Sequence, residues 1–415
     1  MTSEIAIMNQ RALLFAADSA TTVSYVLTNG KRTTRYFKGA NKLFQLSAIH
    51  PVGLMIYGSA SLHGIPWELV IREFRRSLGT DSCATLSAYA ARFFEFVRTN
   101  TALFPEGLRL SAMTDAAVAA AVESWNKAIA EASRLPLRRK CAALSKIIDG
   151  MLAGWRGASV VAPFVASDIA AAITEHAGDV AQQLTEMADG LLAGIDGRLI
   201  PQLAEVGLQA AMKRYEEFLG STGVVIGGYG ETEFLPSFAE FECRGFLGAH
   251  FLVEQRRARV ITRENVAYLE SFATDGMINT FRVGIGPETF KSVTRATFNT
   301  LHELAARVRD AIKPNARILN LDALINRAAM AHQAEWFGSS VRTHYLPLSR
   351  VIETLPIADM AALTRTLIEL ESLKERVMRG SESVASPIDV AAIGKHDGFV
   401  WLDRQTATRS RELRT

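Results

Sequence analysis

Up to residue 60 short apolar stretches, some alternating and some continuous, are separated by turn residues, the pattern of strands and turns. Ser3 to Met8 alternates, Arg11 to Ala17 carries the run ALLFAA, and Asn9-Gln10 between them reads as the turn of a first hairpin. Val23 to Leu27 and Thr33 to Phe37 flank Asn29-Gly30, a pair that favours a type I′ turn. Lys42 to Leu46 and Gly53 to Tyr57 make a third hairpin around His50-Pro51, where proline cannot continue a ladder. The opening therefore predicts a β-meander.

From Leu62 the period changes to that of a helix. Leu62 to Leu78 and Cys83 to Phe104 carry helical spacing, and Ser111 to Gly220 turns rich in Ala, Leu and Glu. Ile169, Ile173, Val180, Leu184, Met187 and Leu191 form one stripe, and Leu199, Leu203 and Val206 form another after Gly197, so an antiparallel helical hairpin is expected there. Strand signals return at Val224 to Ile226, Phe238 to Cys243, Phe251 to Val253 and Arg259 to Thr262, with Gly227-Gly228-Tyr229-Gly230 as a turn rather than a phosphate loop. Helices are expected from Gly276 to Ile312, Leu321 to Ala334 and Ile357 to Met378, and strands at Ile388 to Ile393 and Phe399 to Leu402 close the chain around a Gly394 to Gly398 turn. Strand blocks at the start, middle and end, with helices between, predict an α+β layered fold whose sheets draw on distant segments. On this reading 1–101, 220–286 and 355–403 supply a core, 102–219 and 287–354 are helical insertions, and 404–415 is a polar tail.

Composition narrows the function classes. With 46 basic against 43 acidic residues among 415 and a net charge of +3, nothing marks a nucleic-acid partner. Charges interrupt every long apolar stretch, so no membrane span is expected, and Glu4 stands where a secretory signal needs Lys or Arg, which predicts a cytoplasmic protein. Cys83, Cys141 and Cys243 are odd in number and widely spaced, arguing against a disulfide framework or a zinc site. No HExxH, GxxxxGK[ST], GxSxG or strand-borne GxGxxG occurs, and no cofactor or metal is expected. Ser61 and His63 share a segment, but at a helix start they read as capping and solvated residues.

The chemistry is concentrated in the first strands. A first hairpin centred at Gln10 sets Thr2 opposite Asp18, and a third centred at His50 sets Lys42 opposite Gly58. Thr2 follows Met1, and removal of that methionine would leave Thr2 with a free α-amine. Such an amine, titrating near 8, can take the proton of a threonine hydroxyl at neutral pH. Lys42 would favour the neutral amine, Asp18 would hold the ammonium, and the Gly58 N–H could meet an oxyanion. The same residues also fit a plain chain start, a strand-end acid, a solvated lysine and a bend.

The opening TSEIAIMNQRALLFAADSATT, then NKLFQL and MIYGSASLHG running into a helix, resembles the start of proteasome β-type subunits of the N-terminal-nucleophile hydrolase family. The closing SPIDVAAIGKHDGFVWL is similar to that family's last strands. The resemblance implies a four-layer αββα sandwich with large helical insertions and a threonine-type peptidase. It makes Thr2 nucleophile and base, Asp18 and Lys42 the supporting pair and Gly58 the oxyanion donor. It also puts Thr22 and Ser59 along the substrate strand and Thr274, within SFATDG, at a supporting serine's position. The implied partners are a peptide or protein substrate, further copies of the chain in a homo-oligomer, and an ATPase. Two departures stand out: the family's Asp-x-x-Ser-Gly loop reads Ser381, Glu382, Ser383, Val384, Ala385, Ser386, and the helical insertions have no counterpart in a minimal subunit. An inactive proteasome-fold scaffold, or an interaction protein whose helical blocks bind a partner, would carry the same pattern.

Overall fold

The computed structural model describes residues 2–26, 32–133, 136–188, 190, 192, 195–311, 320–379, 384 and 387–404, and of these all side chains except those of 21–26, 32–38, 137–138, 141 and 311. The strands β1 (Ser3–Asn9), β2 (Leu13–Asp18), β3 (Ala20–Val26), β4 (Arg32–Lys38), β5 (Leu43–Gln45) and β6 (Val52–Gly58) come first. A short ribbon, β7 (Ser61–Leu62) and β8 (Ile65–Pro66), then leads into α1 (Trp67–Leu78) and α2 (Leu86–Thr99). A helical block follows, with α3 (Glu106–Ala132), α4 (Leu137–Gly157), α5 (Ala166–Glu186), α6 (Ile200–Lys213) and α7 (Tyr215–Phe218). Next come β9 (Thr222–Gly228), β10 (Ser237–Leu247), β11 (His250–Val260) and β12 (Ala267–Ala273). The remainder comprises α8 (Gly276–Val283), α9 (Pro287–Ala311), α10 (Leu321–Ser340), α11 (Leu346–Thr354), α12 (Ile357–Arg379), β13 (Ile388–Gly394) and β14 (Gly398–Asp403).

Two five-stranded sheets organise the molecule, in the orders β12-β1-β2-β13-β14 and β11-β10-β9-β6-β5, with antiparallel neighbours throughout. The opening is thus not a meander. β1 and β2 are flanked by β12 and β13, which occupy both of their outer edges, so β3 and β4 pair only with each other and β5 and β6 join the second sheet. Two further expectations are corrected. Phe251 to Val253 and Arg259 to Thr262 lie on or next to one strand, β11, and the helix expected from Gly276 breaks at Gly284, whose φ of +74 ends α8. β12 is a strand that the sequence pattern does not predict.

Period two along the strands sorts their side chains into separate cores. Ile5, Ile7, Leu14, Ala16 and Val390 pack with Met360 and Ile368 of α12 and Ile352 of α11. The alternate residues Ala6, Met8, Phe15 and Ala391 meet Met55, Val225 and Phe238 of the second sheet. The other face of that sheet, through Leu54, Ile56, Val224 and Ile226, packs on Trp67 and Phe74 of α1 and Phe93 of α2. The helical block has its own core around Trp125, Ile148, Ile169, Val180, Leu184, Leu203 and Val206, joined to β10 and β11 through Leu247 and Leu252. Both expected stripes are in it, with Ile173 and Met187 at its edge; Leu191 lies outside the described residues. No helix among the described residues is long and apolar enough to cross a membrane.

Candidate active site

The site begins with how β1 and β2 pair. Asn9 N–H donates to the Ala12 carbonyl at 3.1 Å, so the turn is Gln10-Arg11 and paired residue numbers sum to 21, as in Glu4↔Ala17. That corrects the expected register by one residue: Asp18 sits opposite Ser3, not Thr2. The third hairpin closes through Leu46 N–H to the Val52 carbonyl at 3.0 Å and pairs Leu43 with Met55, so Lys42 stands opposite Ile56 rather than Gly58. A slip of two keeps every side chain on its face, whereas a slip of one exchanges faces.

Asp18, at the end of β2, is 1% exposed and accepts from the main-chain N–H groups of Ser3 at 2.9 Å and Ala20 at 3.0 Å. Those bonds hold one carboxylate orientation, and into it Lys42 Nζ donates at 2.7 Å. Lys42 is itself 6% exposed, so this ion pair is buried.

Even-numbered residues of β1 face the second sheet, and this puts Glu4 into the interior at the same strand end. Glu4 Oε1 lies 3.2 Å from Lys42 Nζ without accepting an aligned hydrogen bond, and Oε2 accepts the Thr2 hydroxyl at 3.2 Å. Full burial pushes the Glu4 carboxyl up from 4.5 to about 7; Lys42 opposes the rise and Asp18 adds to it. Beside Glu4 in register stand Phe272 of β12 on one side and, beyond Ala17, the buried Asp389 of β13 on the other. Phe272 in turn touches the Tyr57 ring at 5.8 Å between centroids, and the Arg257 guanidinium lies 4.6 Å over it. Arg257 pairs with Glu240 and, with Arg259 and Arg282, with Glu270 at 2.8–2.9 Å, tying β10, β11, β12 and α8 together next to the site.

Thr2, Asp18 and Lys42 are therefore together, with Thr2 linked through Glu4 and through the neighbouring Ser3. Thr274 joins by its main chain, its N–H donating to the Thr2 carbonyl at 2.8 Å. Gly58 ends β6 with φ +83, and a Cβ there would lie 3.0 Å from the Ser221 carbonyl. The Ile56 N–H donates to the Lys42 carbonyl at 2.9 Å, and two residues on, strand geometry turns the Gly58 N–H to that same side, past the end of β5. Ser59 is not part of the cluster: its hydroxyl donates to the Ser61 carbonyl at 2.8 Å, inside a cavity of about 300 Å³ lined also by His63, Asp115 and Cys243. Thr22 pairs with Tyr36 in the β3–β4 ribbon, and its side chain lies outside the described residues, as do Met1 and Ser381 to Ser383. His63 sits in the left-handed region at φ +49, and its Nε2 accepts the Phe246 N–H at 2.6 Å, so it braces the β7–β8 turn and makes no nucleophile pair with Ser61.

Glu4 is the residue that sequence reasoning missed. The available signal was an acid on the face of β1 that otherwise carries Ala6 and Met8, a place where a carboxylate costs free energy unless something uses it. Among the described residues no group of three or more His, Cys, Asp or Glu is arranged to hold a metal ion.

No family model matches the chain, and no curated protein matches it. Among solved structures, an Anbu (Gly-1) mutant from Hyphomicrobium sp. strain MC1 is 12% identical, with 99% of this chain and 89% of that one covered and a TM-score of 0.27.

Proposed function

We propose that the chain is an N-terminal-threonine amide hydrolase, a proteasome-like peptidase acting through Thr2 once Met1 is removed. The observation that carries this reading is the buried Lys42–Asp18 pair, 2.7 Å apart and adjoining Thr2. A lysine cation next to an α-amine disfavours a second positive charge there and keeps the amine basic, while Asp18 holds that cation in place. Thr2 Oγ attacks the amide carbon, the Gly58 N–H meets the developing oxyanion, and the amine leaves after protonation. Water activated by the same base then hydrolyses the ester on Thr2. The αββα arrangement is supported by helices packed on the outer faces of both sheets with a shared core between the sheets. Assembly into a homo-oligomer and service of an ATPase belong to the same proposal. The rival, an inactive scaffold of the same fold, is favoured by the stretch 381–386, which has no aspartate. Intact mass before and after a peptide epoxyketone separates the two. An adduct absent from Thr2→Ala supports the enzyme; a full-length Met1 form that takes no adduct sinks it.

A further inference from the structure

We propose that the Glu4 carboxylate is itself a proton acceptor for the Thr2 hydroxyl, a second base carried on the strand that presents the nucleophile. The inference rests on the reading of Thr2 as nucleophile. Residues two apart on a strand project from the same face, and here that spacing leaves Oγ1 of Thr2 donating to Oε2 of Glu4 at 3.2 Å. Glu4 is wholly buried, and its other oxygen accepts no aligned hydrogen bond. Lys42, the cation at hand, gives its short contact of 2.7 Å to Asp18 and stands 3.2 Å from Glu4. A carboxylate so placed is costly as a structural element, since an amide or apolar side chain would fill the space without desolvating a charge.

The step balances within the site. Glu4 Oε2 takes the hydroxyl proton as Oγ bonds to the carbonyl carbon. The resulting carboxylic acid hands the proton to the leaving nitrogen as the C–N bond breaks, leaving an ester on Thr2. Glu4 then takes a proton from water as the hydroxide attacks, and returns it to Oγ. The charged groups facing Glu4 are Lys42 ahead of β5 and Asp18 on β2, with Asp389 of β13 on the same face beyond Ala17. Tyr57 of β6 and Arg257 of β11 stand across Phe272, with Glu240 of β10 and Glu270 of β12 paired to Arg257. The sum of these surroundings holds the Glu4 carboxyl near neutrality, so it is ready both to accept and to return a proton.

A β-lactone, which needs the Thr2 hydroxyl but no second bond to the α-amine, is the probe, with Thr2→Ala as the blank for acylation elsewhere. Its rate of addition is followed by intact mass from pH 5.5 to 9 in the full chain, Glu4→Gln and Glu4→Asp, each checked for folding by circular dichroism. The full chain should gain rate with pH through a midpoint near 7 that belongs to Glu4, and level off about one pH unit higher. Glu4→Gln should lose about 100-fold or more and keep only a slow reaction tracking the α-amine. Glu4→Asp, which retains a carboxylate on a shorter arm, should fall between them and keep a carboxylate-type profile. Glu4→Gln reacting within threefold of the full chain, with the same profile, overturns the proposal. Should Glu4→Gln fail to fold, the full chain decides alone, a flat profile overturning the proposal. A full chain that takes no lactone at any pH refutes the nucleophile reading itself, an outcome distinct from loss in the Glu4 variants only.

Discussion

Replacing Glu4 by Gln should stabilise the folded chain at alkaline pH and change little in acid. The folded carboxyl gives up its proton near 7 and the unfolded one near 4.5. Between those values the folded state holds a proton that the unfolded state has lost, so stability falls as pH rises through this window and is level above it. At about 1.36 kcal/mol per pKa unit, the charged Glu4 costs the folded state about 3 kcal/mol by pH 8, with the attraction of Lys42 already counted. Gln has no proton to lose, so its curve lacks this slope. Urea unfolding of both proteins at pH 5, 6, 7 and 8 reads the effect directly: the variant's advantage should grow by about 2–3 kcal/mol across this range, part of the effect being present at pH 5 already. Curves that run parallel across the window would show that Glu4 titrates as an ordinary carboxyl and would remove the physical basis for its role as a proton acceptor. The experiment uses no substrate, so it tests the charge state apart from the chemistry.

Other substitutions probe the frame around the site. Lys42→Met leaves Asp18 and Glu4 buried without their cation and should cost about 3–5 kcal/mol and abolish acylation of Thr2; a stable, reactive variant would contradict the pairing. Gly58→Ala puts a Cβ 3.0 Å from the Ser221 carbonyl at φ +83, and a loss of about 1–2 kcal/mol in a thermal melt is expected together with slower acylation. Gly207→Val tests the helical block, because a Cβ at that position meets the Ala117 carbonyl at 2.3 Å where α6 crosses α3. Overpacking of this kind should cost at least about 1–3 kcal/mol in urea, and an unchanged midpoint would mean the crossing is looser than described. Glu270→Gln weakens an acceptor shared by Arg257, Arg259 and Arg282 and should destabilise by a similar amount, less so at high salt because these arginines are partly exposed.

What the chain settles by itself is local. The apolar patterns of Ser3 to Ala17 and Ile388 to Ile393 are enough for strands, and the helical stripe through Ile169 and Leu184 is enough for a packed helix. Spacing and family resemblance together were also enough to single out Asp18 and Lys42 as a pair. Tertiary structure decided the rest. β12 shows no strong strand pattern and becomes a strand because β1 has an edge to fill, from a segment more than 250 residues away. The register at Thr2 turned on whether the first turn spans Gln10-Arg11, a difference of one residue that alternation does not distinguish. Glu4 looks along the chain like any acid near a terminus. Only when β2, β12 and the second sheet close around it does it lose water, gain Lys42 and Asp18 as neighbours and hold its proton more tightly, because desolvation and pairing depend on groups that the sequence leaves far apart.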